Sequence, residues 1–331
     1  MADKVIKEHY VPQRYLRHFA TNEKFFLYDK EKSEPRPGNV GNYACERFFY
    51  DVDFNAINQE ILEINPEYTI DPEIERFIHE IDEQHLEHWF GQNVETWLFD
   101  PLDKIITRFV MTNPKILKSI DVLSEEDMEY ISLYLAIQTM RSKEFREQIT
   151  ELYERLPKLL ISKFAKTQEE RDFAASLDFK IKNENHKKVY HAQFLTDPDA
   201  AVHMAEVFRN KLWMLGYNFT DTPFLTSDNP IVKFGHKENG GFNSEGIEIF
   251  FPINTNLVLI MKDPSYFYYE SEQHNHFIEL DKITTDFINS LQVQQSYRYV
   301  FSKTNDFKLV KGMIDRNPAL SNIKHKRFLM G

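Results

Sequence analysis

A helical stripe in the middle of the chain carries the most informative polar residues. From Met128 to Leu152, residues spaced alternately by three and four are apolar except at the centre, where Gln138 and Ser142 stand. A buried amide without partners costs about 1–3 kcal/mol, so this centre predicts either a hydrogen-bonded structural network or the floor of a polar pocket. Arg141 can flank the same face, where its planar guanidinium would suit an anionic ligand.

The stretch TSDNPI, residues 226–231, places a second polar group between apolar runs. Asn229 is pushed toward extended backbone by Pro230, which cannot donate a hydrogen bond to a sheet. One interpretation is a bulge or edge corner in which Asp228 forms an Asx-turn with the backbone two residues on. In the other, Ser227, Asp228 and Asn229 present polar groups at a strand end, where the carboxylate could bind a divalent metal ion or act as a base.

Two further candidates lie near the N-terminus. His9 lies shortly before Pro12, so it is either a structural histidine held at an element boundary or a residue of a site. Glu46 supplies a second carboxylate beside Cys45. That single cysteine is typical of a small buried hydrophobic residue rather than a nucleophile.

A charged helical run contains three histidines. His79, His85 and His88 recur at helical spacing with Glu75 and Asp82, a pattern that could hold a metal ion. The surrounding EIDEQHLEH is strongly charged and contains no HExxH motif. A solvated helix face is therefore the preferred interpretation.

The elements that would position these residues are helical in the middle of the chain. Ser124 predicts an N-cap, followed by acidic residues in the first turn, and its helix is expected to run to about Leu156. The next segments are predicted as helix over 157–177, a polar loop over 178–197 and a helix over 197–216 with Gly216 as C-cap.

Strands are predicted in the last third of the chain, where short segments are rich in β-branched and aromatic residues. Those segments include PIVKFG, IEIFFPI, NLVLIMK and YRYVFSK, interrupted by a helix over roughly 281–294 that Asp281 caps. Near the N-terminus KFFLYD (24–29) is predicted as a strand and EPRPGNVGN (34–42) as a loop.

The combined prediction is an α+β fold. A central helical bundle is expected to pack on a mixed or antiparallel sheet, built mainly from the C-terminal third with N-terminal strands. We expect one domain over 1–331, with an N-terminal segment 1–65, a helical region 66–216 and a mainly β region 217–331.

Composition excludes several classes of protein. The formal charge of −12 argues against broad nonspecific binding of duplex nucleic acid, although a local basic patch could still engage it. With 10 glycines in 331 residues and no strand–loop–helix frame around them, a Rossmann or P-loop site is disfavoured. One cysteine excludes an intrachain disulfide, and no apolar run suits a membrane span, so a cytoplasmic protein is expected.

Seven stretches together resemble one family. HYVPQRYLRHF, FLYDK, NVGNYACERFFY, LYLAIQTMRS, LWMLGYNFTDTPFLTSDNPIV, FFPI and FINSLQVQQSYRYVFS occur in the order expected of the domain of unknown function 4238 family. That resemblance implies a bacterial protein, similar to cargo of mobile islands and connected with phage defence. The family's shared motifs fall here on His9, Pro12, Glu46, Tyr50, Gln138, Arg141, Ser227, Asp228, Pro230 and Asn289.

The leading hypothesis is a cytoplasmic antiphage effector, a nuclease or other phosphoester hydrolase, with one polar pocket and a possible divalent metal ion. His9, Glu46 and Asp228 would be catalytic, Arg141 would clamp an anion, and the ligand would be positioned by Gln138, Ser227, Asn229 and Asn289. The alternative is a non-catalytic sensor or binding protein that recognises a phage component. Across these hypotheses, the expected partner is a phage component or nucleic acid. A third interpretation treats the polar cluster as a folding network.

Overall fold

The computed structural model describes residues 5–323 except 74, 77–84, 113–115, 117–119 and 238–239. Within these residues no helix combines the length and apolar character needed to cross a bilayer. The α-helices are α1 Gln13–Leu16, α2 Phe54–Ile64, α3 His85–Trp89, α4 Asp100–Met111, α5 Glu125–Arg141, α6 Lys143–Phe164, α7 Gln168–Ser176, α8 Glu184–Leu195, α9 Pro198–Arg209, α10 Lys282–Gln295 and α11 Lys308–Arg316. The strands are β1 Lys7–His9, β2 Lys24–Asp29, β3 Glu34–Asn39, β4 Cys45–Arg47, β5 Leu212–Tyr217, β6 Thr226–Ser227, β7 Val232–Gly235, β8 Ile247–Pro252, β9 Leu257–Lys262, β10 His276–Glu279 and β11 Tyr299–Ser302.

A five-stranded sheet forms the centre of the fold, in the order β10-β5-β9-β8-β7. All of its pairings are antiparallel except that of β10 with β5. Both faces are covered, which explains why its strands are almost continuously apolar. Helix α5 packs Ile131 and Leu135 on the face that carries Phe251, and α10 packs Ile288 on the face that carries Phe250. The predicted α+β architecture of helices packed on a sheet is confirmed.

A second, four-stranded antiparallel sheet joins the two ends of the chain, in the order β3-β2-β11-β6. Tyr28 of β2 lies opposite Val300 of β11, and Val300 lies opposite Ser227 of β6. The stretch 226–231 therefore starts on an edge strand of this sheet and turns away from it. A separate two-stranded ladder pairs β1 with β4.

The prediction of one continuous helix face from Met128 to Leu152 is wrong, because the helix is broken at Ser142. Ser142 has ψ of 151°, ends α5, and caps α6 by accepting a hydrogen bond from the backbone N–H of Phe145. A serine in extended geometry begins a new helix with its own side chain, so Gln138 and Ser142 do not share a helical face.

Three other local predictions are corrected. Residues predicted as a polar loop over 178–197 contain α8, which Asn183 caps. The helix predicted over 197–216 ends at Arg209, and Gly216 lies inside β5, where an added Cβ would meet Leu280 Cδ1 at 2.6 Å. The loop predicted over 34–42 contains β3, whose prolines are tolerated because it is an edge strand.

Candidate functional site

The backbone of His9 and Tyr10 lies at the centre of a polar cluster. Helix α5 reaches this segment from its last turn, where Gln138 Nε2 donates to the Tyr10 carbonyl at 3.0 Å and an Arg141 Nη donates to the His9 carbonyl. On its other side Ala44 accepts from the Tyr10 N–H at 3.0 Å. The N-terminal segment is thus held between α5 and the residues around β4.

Arg141 is fully buried and its charge is compensated from several directions. Its Nη atoms lie 3.3 Å from Glu95 Oε1, and its Nε donates to the Tyr50 hydroxyl at 3.4 Å. The guanidinium carbon is 4.2 Å from the centroid of the Phe90 ring. A buried cation with this many partners is both costly to remove and positioned to stabilise a nearby anion.

His9 presents a neutral imidazole inside the cluster. Burial, with the charge of Arg141 next in effect, lowers the pKa of His9 to about 4, while a hydrogen bond to the backbone of Val40 opposes that change. Its Nε2 is buried and has no hydrogen-bond partner among the described residues, and the same is true of Gln138 Oε1. Both atoms can therefore accept a hydrogen bond, and the imidazole Nε2 can also accept a proton.

Carboxyl groups surround the same segment. Glu87 accepts a hydrogen bond from the His9 backbone N–H, and burial raises the pKa of Glu87 to about 7 despite the nearby guanidinium of Arg141. Glu8 Oε2 accepts from the Tyr50 N–H at 2.6 Å. Burial, reinforced by a hydrogen bond to the Asp51 side chain, raises the pKa of Glu8 to about 8. These carboxyl groups hold protons near neutral pH, as general acids do.

A second buried cation lies behind the cluster, at the first turns of α6. Arg146 donates from Nε to His191 Nδ1 at 3.2 Å and lies 3.4 Å above the Phe49 ring centroid. His191 in turn lies 2.7 Å from the Met140 carbonyl through Nε2, and burial lowers its pKa well below the usual value. His191 also stacks on the Tyr50 ring, with the ring centroids 6.0 Å apart, so this layer packs against Phe49 and Tyr50.

Asp228 is completely buried, and backbone amides occupy both of its oxygens. It accepts hydrogen bonds from the N–H groups of Tyr297, Arg298 and Tyr299 at 2.8, 2.8 and 2.9 Å. The predicted Asx-turn at Asp228 is wrong, because the residue two positions on is Pro230, which has no N–H. Burial raises the pKa of Asp228 to about 6 against these hydrogen bonds.

The TSDNPI stretch is fixed by α10 through side-chain amides. Ser227 Oγ accepts the Asn229 N–H at 3.2 Å and donates to Gln292 Oε1 at 2.7 Å. Asn229 donates through Nδ2 to the Gln295 carbonyl at 2.9 Å. Asn289 accepts the Leu225 N–H at 2.8 Å and donates to the Pro223 carbonyl at 3.0 Å. These side chains replace the ladder hydrogen bonds that an edge strand lacks.

The predicted site residues therefore fall into two groups. His9, Gln138 and Arg141 meet directly at the N-terminal segment, whereas Ser227, Asp228, Asn229 and Asn289 fix the TSDNPI stretch to α10 and β11. Tyr10 lies between the groups. Burial raises its pKa, and the nearby charges of Asp228 and Glu46 raise it further. Glu46 forms an ion pair with Lys143 near the surface. Asn289 also lines a separate cleft of about 650 Å³ with Lys282 and Lys308.

A family comparison covers almost all of these elements. The family described as "Protein of unknown function (DUF4238)" matches residues 7–306. The chain belongs to the DUF4238 family. The matched range of this DUF4238 protein begins at β1 and ends beyond β11, so it includes both groups of predicted site residues. A search of the curated proteins found no match, and a search of the solved structures found none.

Sequence reasoning on this DUF4238 protein missed Glu8, Asp51 and Glu87, together with Arg146 and His191. Glu8 and Glu87 stand among other charged residues, in KEH and HLEHW, and only tertiary packing distinguishes a buried carboxyl from its exposed neighbours. A usable signal existed for Arg146, which follows the N-cap Ser142 and faces the apolar side of α6.

Metal binding was another sequence-based hypothesis. Among the described residues, no group of three His, Cys, Asp or Glu side chains is arranged to hold a metal ion. His79 and Asp82 of the histidine-rich run lie outside the described residues, as does the side chain of His85, whereas His88 is exposed.

Proposed function

We propose that this DUF4238 protein is a hydrolase that acts on an anionic phosphoester, such as a nucleic acid or a nucleotide. The observation that carries the proposal is the combination, around one backbone segment, of a neutral His9 with an unpartnered Nε2 and a Glu87 carboxyl whose pKa is about 7. Pairs of titratable groups whose environments push their pKa values apart are typical of acid–base sites.

In the proposed reaction His9 is the base and Glu87 is the acid. His9 Nε2 takes a proton from the water whose oxygen forms the new bond to phosphorus. The bond from phosphorus to the leaving oxygen breaks, and that oxygen takes the proton of Glu87. Arg141 stabilises the negative charge of the transition state.

Purified variants test the catalytic proposal. The wild-type protein is incubated with single-stranded RNA, single- and double-stranded DNA, nucleotides and bis-(p-nitrophenyl) phosphate. We expect turnover of at least one, reduced about 100-fold or more in His9→Gln and Glu87→Gln, with melting temperatures measured alongside. His88→Gln, an exposed histidine on the helix that carries Glu87, is the matched control. Full activity in folded His9→Gln and Arg141→Lys would contradict the assignment.

A second candidate function is recognition without catalysis. It is favoured by Tyr268 and Tyr269, which are 71% and 64% exposed on one turn. Rigid aromatic side chains of this kind often anchor protein interfaces. In this case Tyr268→Ser with Tyr269→Ser would abolish binding of a phage component, and the wild-type protein would turn over none of the phosphoester substrates.

We also propose that the activity serves defence against bacteriophage in the cytoplasm of a bacterium. The support is the resemblance of the quoted motifs to a family connected with phage defence. Expression of the chain in a phage-sensitive bacterium should lower plaque formation, and His9→Gln should restore it whereas His88→Gln should not. Equal plaque counts with and without the wild-type chain would count against this role.

A further inference from the structure

Tyr134 carries a buried hydroxyl group that the proposed reaction does not use. Its side chain lies on α5 and is fully buried, and its Oη has no hydrogen-bond partner among the described residues. Buried hydroxyl groups are normally paired, because an unpaired one has lost its hydrogen bonds to water without replacement. A bound molecule would supply the partner that this hydroxyl lacks.

The unpaired hydroxyl lies near the ion pair between Arg141 and Glu95. Tyr134 precedes Arg141 by seven residues, which is two helical turns, so both side chains lie on one face of α5. Burial raises the pKa of the Tyr134 hydroxyl, while the charge of Arg141 lowers it and that of Glu95 raises it, with smaller effects from Arg14 and Asp103. Because its pKa is raised overall, the hydroxyl stays protonated near neutral pH and can donate a hydrogen bond.

The guanidinium group of Arg141 also has an unused donor. Within the described part of the chain its five N–H groups make four hydrogen bonds, one to the Tyr50 hydroxyl, one to the His9 carbonyl and two to Glu95 Oε1. One N–H of Nη1 is left over, because Nη1 donates only to Glu95. Both contacts with Glu95 are 3.3 Å long, whereas charge-assisted hydrogen bonds of this type are typically about 2.7–2.9 Å. Glu95 therefore holds this side of Arg141 loosely, through a single oxygen.

Glu95 differs from Arg141 in its exposure to solvent. The Glu95 side chain is 23% exposed, whereas that of Arg141 is 0% exposed. Its backbone is fixed at the end of a π-helical turn over Phe90–Val94, where its N–H donates to the Phe90 carbonyl at 2.9 Å. Turns of this kind are rare and often occur at functional sites. The carboxylate can turn toward water by a change of rotamer while the backbone stays in place.

We propose that an anionic oxygen of the ligand replaces the Glu95 carboxylate on Arg141 and accepts a hydrogen bond from the Tyr134 hydroxyl. This inference rests on the anion-binding role of Arg141 in the proposed function. The exchange keeps the buried guanidinium paired with a negative charge. A phosphate group has enough acceptor oxygens to take the Tyr134 hydroxyl and the unused N–H of Arg141 at the same time. Glu95 is then a competitor of the ligand that is built into the chain.

Titration calorimetry of the full chain with inorganic phosphate tests the exchange. We expect Tyr134→Phe to raise the dissociation constant about 10-fold or more, because one hydrogen bond to a charged oxygen is lost. Glu95→Gln should lower the dissociation constant about 10-fold, because a competing negative charge is removed. The matched control is Tyr15→Phe, which changes a fully buried tyrosine whose hydroxyl is paired with Thr226 Oγ1 at 2.6 Å, and this variant should bind phosphate as the wild-type protein does.

Urea unfolding in phosphate-free buffer separates this effect from a folding defect. Tyr134→Phe should not lower the urea midpoint, because it removes a hydroxyl that has no partner among the described residues. Tyr15→Phe should lower the midpoint, because Thr226 Oγ1 and the Pro252 carbonyl lose their partner. A lowered midpoint for Tyr134→Phe would show that its hydroxyl is already paired without a ligand, which contradicts the proposal.

Three other results would overturn the exchange. They are an unchanged phosphate affinity in Tyr134→Phe, an affinity that is no tighter in Glu95→Gln, and no phosphate binding by either the wild-type protein or Glu95→Gln at about 10 mM. Failure of the hydrolase proposal would look different, because phosphate would bind with the expected pattern while no phosphoester is turned over. Turnover by a protein whose phosphate affinity responds to neither substitution would support the hydrolase and reject the exchange.

Discussion

Replacing Glu87 by glutamine should stabilise the protein at alkaline pH. The native Glu87 carboxyl is buried, and its pKa rises from 4.5 to about 7 on folding. The native state therefore binds more protons than the unfolded state between these values, and stability falls as pH rises through this window. Glutamine is permanently neutral, and its Oε1 can still accept the His9 backbone N–H.

The size of the effect follows from the same pKa change. A difference of about 2.5 pKa units corresponds to about 3 kcal/mol, which is an upper value because the rest of the cluster relaxes around the new charge. We expect Glu87→Gln to raise the free energy of unfolding by about 1–3 kcal/mol at pH 8. Near pH 5 the native carboxyl is protonated and only the unfolded-state carboxyl is ionised, so the gain should fall below about 1 kcal/mol.

Urea unfolding followed by circular dichroism at pH 5, 6, 7 and 8 measures this difference. The matched control is Glu95→Gln, the same chemical change at a carboxylate that also faces Arg141. Glu95 forms an ion pair with a buried guanidinium, so its loss should destabilise the protein by about 1–3 kcal/mol at every pH tested. The two substitutions should thus act in opposite directions at pH 8.

Destabilisation by Glu87→Gln at pH 8, like that expected for Glu95→Gln, would contradict a raised pKa of Glu87 in the native state. So would a difference in the free energy of unfolding between the wild-type protein and Glu87→Gln that is the same at pH 5 and at pH 8. Either result would mean that Glu87 is ionised in the native state and serves as a counter-ion of Arg141. In that case Glu87 could not be the proposed acid.

Three further substitutions are tested by urea unfolding, one in each group of predicted site residues and one in β5. Arg141→Met should lower the free energy of unfolding by about 3–5 kcal/mol, because Glu95 and the His9 carbonyl lose their partner. The control Arg17→Met, at an exposed ion pair, should lower it by less than about 1 kcal/mol. Equal losses would contradict the buried network. Asn289→Ala should lower the free energy of unfolding by about 2–4 kcal/mol, because it leaves two backbone groups without partners. An unchanged free energy of unfolding would mean that water replaces the amide. Gly216→Ala should lower the free energy of unfolding by about 1–3 kcal/mol, since the new methyl would meet the Leu280 and Val258 side chains within 2.8 Å. An unchanged urea midpoint would show that the backbone and these side chains move to make room for the methyl.

Local patterns predicted the elements whose signals lie within a few residues. The cap at Ser124 forms a capping box with Asp127, and the helix predicted over 281–294 is α10 with Asp281 as its N-cap. The break at Ser142 was not predicted, because a helix break inside an apolar repeat depends on contacts outside that repeat. Strand β3 was predicted as a loop because of its prolines. Whether a strand lies at the edge of a sheet, where proline is tolerated, depends on which strands pair with it.

The candidate site was predictable only in part. Gln138 and Arg141 stood out because polar residues interrupting an apolar stripe break a local rule, and such breaks are often where polar networks form. Glu8 and Glu87 break no local rule, because a carboxylate among charged residues normally faces water. Their burial arises from packing of the N-terminal segment against α3 and α5, which no short window of sequence contains.

Pairing of the first and last thirds of the chain has a consequence for how the protein acquires its structure. Residues 24–29 cannot complete their sheet until residues 299–302 exist, so about 270 residues of intervening chain must be made before this ladder closes. Pairings so distant in sequence are slow to form. A nascent or truncated chain would carry the β2–β3 hairpin with one unpaired, apolar edge. We therefore expect chains that end before β11 to be captured by chaperones or to aggregate rather than to persist as a shortened fold.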